Sequence, residues 1–288
     1  MDLIDLHTHS TYSDGILTPA ELVDLAKKVG LKAIALTDHD TMAGLTEALV
    51  RGREQGIEIV PGVEISAVQD DRSLHILAYR PRRTRELQQM MARLQQYRQT
   101  RNEQIINNLN RLGIAVGEKD LRLYSHTGQT GRPHIARMLV DHGAVKTVNQ
   151  AFDRYLKKGG LAYVESGKLP AVEVVRTIAG AGGLAVLAHP VHANTSRPNL
   201  PDLLRVLVPE GLAGLEAYYP SHSAAAVREL KKLAVSHGLL LTGGSDFHGD
   251  NHSGASLGGV GQTLRVSYEL LAAMKRHPAW RKEKGSAW

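Results

Sequence analysis

The chain has 288 residues, 42% hydrophobic and 22% charged, which is enough apolar material for a large core in one or two domains. It has no cysteine, so disulfides and thiolate metal sites are excluded, and its formal charge of +6 favours anionic partners. No apolar run approaches a membrane span and no basic-then-apolar leader precedes the first strand, so the expected location is the cytoplasm, away from any membrane.

In chain order the sequence keeps a βα rhythm. Short apolar runs at Leu3–Leu6, Ala33–Leu36, Ile57–Val60, Leu74–Ala78, Leu184–Leu187, Leu212–Ala217 and Leu239–Leu241 read as strands covered on both faces. A first helix is capped by Thr18, with Pro19 at its first position and Glu21 completing a capping box, and it stops at Gly30. A second is expected from Thr41, carrying Leu45, Ala48 and Leu49. Seven strands alternating with helices predict an α/β fold, a distorted TIM-like (β/α)7 barrel.

The rhythm breaks between about Arg82 and Tyr163, where the pattern is helical. Leu87, Met91, Leu94, Ile105, Leu109 and Leu112 recur near helical spacing, and a shorter helix follows through Ile135, Met138 and Leu139. Residues 82–163 are therefore expected to form a helical insertion capping the active face of a barrel built from residues 1–81 and 164–288. Arg82, Arg83, Arg85, Arg93, Arg98, Arg101 and Arg111 stud the long helix and read as a solvated charged face. With only Tyr97 and Tyr124 nearby, no extended base-stacking platform is expected, and short substrates fit better than long ones.

The candidate chemistry lies in His7-Thr8-His9, Asp14, Asp38-His39-Asp40, Glu64, His75, His189 and Asp246-Phe247-His248. Imidazole and carboxylate are ligands of divalent cations such as Zn²⁺, Mn²⁺ and Fe²⁺. Taken singly, each has an ordinary reading: Asp14-Gly15 as a turn, Asp40-Thr41 as a helix cap, His189-Pro190 as a strand terminus. Together they recur after successive strands, the level at which parallel barrels build their sites. His75, near the start of its strand, is the least regular member. This recurrence points to a multinuclear metal hydrolase. His126, His142, His237 and His252 fall outside the pattern and read as surface residues.

His7-Thr8-His9-Ser10, Thr37-Asp38-His39-Asp40-Thr41, Pro61-Gly62-Val63-Glu64-Ile65-Ser66, Ala188-His189-Pro190 and Gly244-Ser245-Asp246-Phe247-His248 occur in one order along the chain. They resemble the motifs of the PHP (polymerase and histidinol phosphatase) superfamily. Gly131-Arg132-Pro133-His134 and Phe152-Asp153-Arg154-Tyr155-Leu156 further resemble a stand-alone subgroup that acts on nucleoside 3′,5′-bisphosphates and as 5′-to-3′ exonucleases on short RNA. The resemblance implies two or three divalent ions, Mn²⁺ first, with Fe²⁺ or Zn²⁺ as alternatives. His7, His9, Glu64 and Asp246 would hold one; Glu64 would bridge to a second completed by His75 and His189; Asp14, His39 and His248 would hold a third. Asp38 is expected to orient imidazoles from behind, and Asp40 either to do the same or to cap a helix.

The implied reaction is phosphoester hydrolysis by a metal-bridging hydroxide, with His7, His9, Glu64 and Asp246 at its centre. Arg132 is the first candidate for the substrate phosphate, because guanidinium binds phosphate through two parallel hydrogen bonds. Lys157 and Lys158 are second candidates, at a place where the chain departs from the subgroup by carrying Lys157-Lys158-Gly159-Gly160. His222, after the sixth strand, is expected to bind substrate or protonate the leaving oxygen. The expected partner is a phosphorylated nucleotide or short RNA, with no obligate protein partner. The alternatives are a small-metabolite phosphatase acting on histidinol phosphate, and a non-catalytic metal-stabilised module, which the complete ligand set disfavours.

Overall fold

A parallel strand pair, β1 (Ile4–Thr8) and β2 (Ala33–Leu36), opens the computed structural model, which describes residues 2–125, 129–165, 167–191, 200–249, 255–259 and 264–281. Helix α1 (Pro19–Lys28) joins the two strands, with the Thr18–Glu21 capping box formed as the sequence predicts. Helix α2 (Leu45–Gln55) begins four residues later than expected: its N-cap is Gly44, and the Thr41 region is irregular. Strands β3 (Glu58–Gln69) and β4 (Arg72–Tyr79) form a long hairpin, and the helical stretch follows with α3 (Arg85–Arg111), α4 (Glu118–Arg122), α5 (Arg132–Asp141) and α6 (Val148–Ala151). Phe152–Leu156 then makes one π-helical turn.

The chain returns to the sheet through β5 (Leu169–Pro170), α7 (Ala171–Gly180), β6 (Leu184–Leu187), α8 (Leu200–Leu207), β7 (Leu212–Tyr218), α9 (Ala224–His237) and β8 (Leu240–Gly243), before α10 (Tyr268–Arg276). The order is β1-β2-β3-β4-β6-β7-β8, with β5 against β3. The sheet curls until Thr8 bridges Phe247, just past β8, and the His9 amide donates to the Phe247 carbonyl at 2.9 Å. The result is a distorted TIM-like barrel with seven main strands. Among the described residues no helix is long and apolar enough to cross a membrane.

Alternation explains why the strands are apolar throughout. Ile4, Leu6, Ala33, Ala35, Val60, Leu77, Leu184 and Val186 fill the barrel interior, while Ile34, Leu36, Val63, Ile76, Ala185 and Leu187 pack under the helices. The distortion lies at β4, which runs antiparallel to both β3 and β6. Reversal puts the first half of β4 at the level where its neighbours end, and so accounts for the irregular place of His75. Glu64 also differs from expectation: β3 continues to Gln69, so Glu64 sits inside a strand, not beyond one.

Helix α3 is 27 residues, about 40 Å at the usual rise. Leu87, Met90, Met91 and Leu94 on its first half pack into the main core, whereas Ile105, Ile106 and Leu109 build a second core with Leu121, Ile135, Met138, Leu139 and Leu156.

Candidate metal centre

All nine expected ligands converge on the end of the barrel where β1 and β2 finish. His7, His9, Glu64 and Asp246 form one group whose ligand atoms lie within 4.8 Å of one another; His9, Asp14, His39 and His248 form a second, and His39, Glu64 and His75 a third. Glu64 is the hub. Its Oε2 faces His7 Nε2 at 3.3 Å, His9 Nε2 at 3.2 Å and His39 Nδ1 at 3.0 Å, while its Oε1 faces His75 Nδ1 at 2.8 Å and His189 Nε2 at 3.1 Å. Asp246 Oδ1 stands 3.1 Å from His9, and Asp14 Oδ1 stands 3.3 Å from His248.

The donor set fits divalent cations on an observation independent of any motif. His7 Nε2, His9 Nε2, His39 Nδ1, Asp14 Oδ1, Glu64 Oε2 and Asp246 Oδ1 are buried and lack a well-formed hydrogen bond among the described residues. Buried polar atoms left so are costly, and here they are aimed at shared points between side chains. Electrostatics agrees. Burial alone would raise the Glu64, Asp14 and Asp246 carboxyls, yet the surrounding imidazoles hold all three well below the usual carboxylate range. Among the imidazoles, burial drives His39 down to about 3. His9 resists its burial and is pushed up to about 10 by Asp246 and Glu64. Ionised oxygens and imidazole nitrogens packed this closely make a hard-to-borderline cation site.

Backbone geometry supports the arrangement. Asp40, His189 and Asp246 have φ of 53°, 27° and 55°, left-handed values that non-glycine residues adopt at a cost. At Gly244 a Cβ would meet the His7 Cβ at 2.4 Å, so only glycine lets this loop pass the first ligand.

Residues behind the ligands divide into expected and missed. Asp38 accepts from Ser10 N, Ser10 Oγ and Ser13 Oγ, each at 2.7 Å, and Ser13 Oγ lies 3.4 Å from His9 Nδ1, so Asp38 reaches an imidazole through a serine. Asp40 neither caps a helix nor touches an imidazole nitrogen; it accepts from Ser66 N at 2.9 Å, Ser66 Oγ at 3.1 Å and Arg98 Nη2 at 2.5 Å. Two residues that the sequence did not single out hold ligands directly. Glu216 Oε1 bonds His7 Nδ1 at 3.0 Å, while its Oε2 accepts from the His189 amide at 2.7 Å. The Tyr219 hydroxyl donates to Asp246 Oδ2 at 3.0 Å.

Beside the ligands opens a cleft of about 250 Å³. Its lining includes Asp14, His39 and His75 together with Arg98, Arg101, Arg132, Lys168, Pro133 and Phe152. Arg132 thus shares the cleft with three of the candidate ligands, with Nη2 donating to Val164 O at 2.7 Å and its guanidinium 5.1 Å from the Tyr163 ring. Lys157 is exposed and paired with Asp153 at 2.9 Å; neither it nor Lys158 lines the cleft. His222 holds Ala217 O through Nδ1 at 3.0 Å, and the Tyr219 ring neighbours both it (5.3 Å) and His189 (5.2 Å). His142 is exposed and His237 half-buried, bonded to Leu233 O; His126 and His252 lie outside the described residues.

A model of the PHP domain matches residues 5–165. A 5′-3′ exoribonuclease of Haemophilus influenzae is 36% identical over 85% of this chain and 89% of its own length. A 3′,5′-nucleoside bisphosphate phosphatase of Chromobacterium violaceum is 35% identical over 88% and 90%. Among solved structures, a predicted metal-dependent phosphoesterase from Bifidobacterium adolescentis superposes with a TM-score of 0.88 at 31% identity, covering 95% of this chain and 96% of that one.

Proposed function

The chain belongs to the PHP domain family and is a metal-dependent phosphoesterase, a hydrolase; from that premise we propose that it removes phosphate from nucleoside 3′,5′-bisphosphates and from the 5′ end of short RNA. The observation that carries this reading is the cleft of small-molecule size, whose lining brings four cationic side chains together with Asp14, His39 and His75 of the carboxylate–imidazole cluster. The relatives named for nucleotide and RNA substrates support it over nearly their whole length.

In this reading His7, His9, Glu64 and Asp246 hold one ion, Glu64 with His75 and His189 a second, and Asp14, His39 and His248 a third. Bound ions would supply Lewis acidity and lower the pKa of a water molecule enough for it to act near neutral pH. The protein's own groups do the rest. Glu216 fixes His7 with Nδ1 committed, leaving Nε2 for the centre. Tyr219 restrains the second oxygen of Asp246, and His222 packs beside Tyr219 as a supporting residue. Arg132 presents its guanidinium to a substrate phosphate, and Phe152 offers an apolar face for a base or sugar. Lys168 takes the place in the cleft first considered for Lys157 and Lys158. Manganese is the first choice of ion, with iron or zinc next, since this donor set accepts all three. In the same reading residues 82–163 act as the cap on a barrel of residues 1–81 and 164–288, and the cytoplasm is the compartment that suits nucleotide substrates.

The test is phosphate release with Mn²⁺ from adenosine 3′,5′-bisphosphate, a short 5′-phosphorylated RNA and histidinol phosphate. Turnover of either nucleotide substrate is expected, falling at least about 100-fold in Asp246→Asn, which removes the charge of a proposed ligand and one of the two acceptor oxygens it uses. Cleavage of histidinol phosphate alone would overturn the nucleotide reading in favour of a metabolite phosphatase.

A further inference from the structure

Asp5 is a wholly buried carboxylate on β1 that the ligand set does not use. Four donors surround it. Its Oδ1 accepts from His7 N at 3.2 Å and Ser245 N at 2.9 Å; its Oδ2 accepts from Ser245 Oγ at 2.5 Å and Gly258 N at 2.8 Å. Ser245 and Gly258 lie 240 and 253 residues further along the chain, so one side chain gathers three distant stretches of backbone. Burying a carboxylate is costly, and neighbouring strands ordinarily pair through backbone groups alone. Here the ladder fails: the pairing of β1 with β2 shifts register between Asp5 and Thr8. In that gap side chains hold the Leu6–His7 peptide on both sides, the Tyr79 hydroxyl donating to its carbonyl at 2.8 Å and Asp5 accepting from its N–H. Glycine permits the close approach, since a Cβ at Gly244 would stand 2.9 Å from Asp5 Oδ1.

We propose that Asp5 is a positioning residue of the metal centre, setting the separation of His7 from Asp246 through one shared carboxylate oxygen. This rests on the ion assignment above, in which His7 and Asp246 hold the same ion. The two amides on Asp5 Oδ1 belong to His7 itself and to the residue just before Asp246, and the ligand atoms those segments carry stand 3.3 Å apart. Asp246 has the left-handed φ of 55°, a backbone state that persists only where its surroundings hold it. Without Asp5 the His7 ring keeps Glu216, whereas the Ser245 amide and hydroxyl lose their acceptor. Distances at a metal are set to within about 0.2 Å, so a small slip of the Ser245–Asp246 segment weakens the site.

The experiment titrates the full-length protein with Mn²⁺ and follows the free ion by its electron paramagnetic resonance signal, so neither substrate nor turnover enters. In Asp5→Asn one amide oxygen replaces two carboxylate oxygens, and whichever way the amide turns a backbone N–H is left facing an NH₂. The Mn²⁺ concentration for half-filling should rise about 10-fold, and in Asp5→Ala closer to 100-fold, the range for groups that orient metal ligands from behind. Both variants should also melt at lower temperature, because buried amides lose their acceptor. Leu230→Ala, a truncation of a fully buried side chain on α9, reproduces the loss of stability alone and should leave half-filling within about twofold. If Asp5→Ala does not fold, Asp5→Asn decides. Unchanged half-filling in folded Asp5→Asn, or an equal rise in Leu230→Ala, would overturn the proposal and leave Asp5 a matter of stability. Weakened uptake in Asp5→Asn supports it even if the wild type turns over no nucleotide, a result that ends only the substrate reading.

Discussion

His7 aims Nε2 at Glu64 and Asp246 because Glu216, on β7, holds the opposite nitrogen at 3.0 Å. The same carboxylate takes the His189 amide, so one residue steadies two proposed ligands, one of them on a left-handed backbone that costs energy to maintain. Glu216→Gln keeps the size but weakens the acceptor for His7 and can turn an NH₂ toward the His189 amide. Activity with saturating Mn²⁺ should fall about 10–100-fold, and the Mn²⁺ concentration giving half-activation should rise by a similar factor, as for other groups that orient metal-bound histidines. A titration of activity against Mn²⁺ separates the two effects. The sequence carried a clue to Glu216 that motif reading passes over. Leu215-Glu216-Ala217 is an acid in the middle of an apolar strand, and Glu216 is wholly buried. A buried carboxylate needs a partner, and a histidine whose one nitrogen is reserved for an ion has its other nitrogen free to supply it.

At the scale of the element, α3 is a strut that ties the helical stretch to the candidate metal centre. Gln95 donates to the Asp40 carbonyl at 2.8 Å, Gln129 to the His39 carbonyl at 2.5 Å, and Arg98 to the Asp40 carboxylate. Two contacts from α3 and one from Gln129, just before α5, thus hold His39 and Asp40 in the loop that follows β2. Asp40 is 1% exposed and stays ionised, since the Arg98 charge beside it and the Ser66 bonds outweigh its burial. Asp40→Ala would leave Arg98 buried without a carboxylate, which costs about 3–5 kcal/mol. Denaturant unfolding should show that loss, and adding Arg98→Met should recover most of it. If the double variant is no more stable than the single, the pair is not what holds α3 to the loop. The spacing that exposes this strut was present in the sequence: Leu94, Arg98, Arg101, Ile105 and Leu109 fall on one helical stripe, with charges where apolar residues belong. The nine proposed ligands were legible because their side-chain types are distinctive in themselves. The strut was not, because an arginine's role depends on which way its helix turns, and the first half of α3 packs on the main core while the second half builds a separate one. The antiparallel β4 was hidden for a similar reason, since a short apolar run reads the same in either direction.

Across the whole molecule, the centre joins segments far apart in the chain: His7 and His9 after the first strand, Glu64 and His75 on the long hairpin, His189 after β6 and Asp246 after β8. Ions bound there would cross-link both ends of the barrel, so their removal should be read as a loss of global stability. For ions well above their dissociation constants the linkage is about 3 kcal/mol per site, and at roughly 2 °C per kcal/mol the melting temperature should fall by about 10 °C or more on chelation. The pH dependence has a definite sign. Without ions, His7, His9, His189 and His248 all lie above the ordinary imidazole value, because the charges of Glu64, Glu216, Asp14 and Asp246 outweigh burial in each case. Protonated imidazoles then stand in for the missing cations, and that support is complete below pH 6.5 and is lost as pH rises toward about 10 for His9. Ion binding instead requires those nitrogens free of protons, so it strengthens over the same interval. The gap in melting temperature between metal-loaded and chelated protein should therefore widen from pH 6 to pH 8.5. Differential scanning calorimetry at the two pH values decides it: a constant or shrinking gap would mean that the imidazoles are not the groups the ions displace protons from.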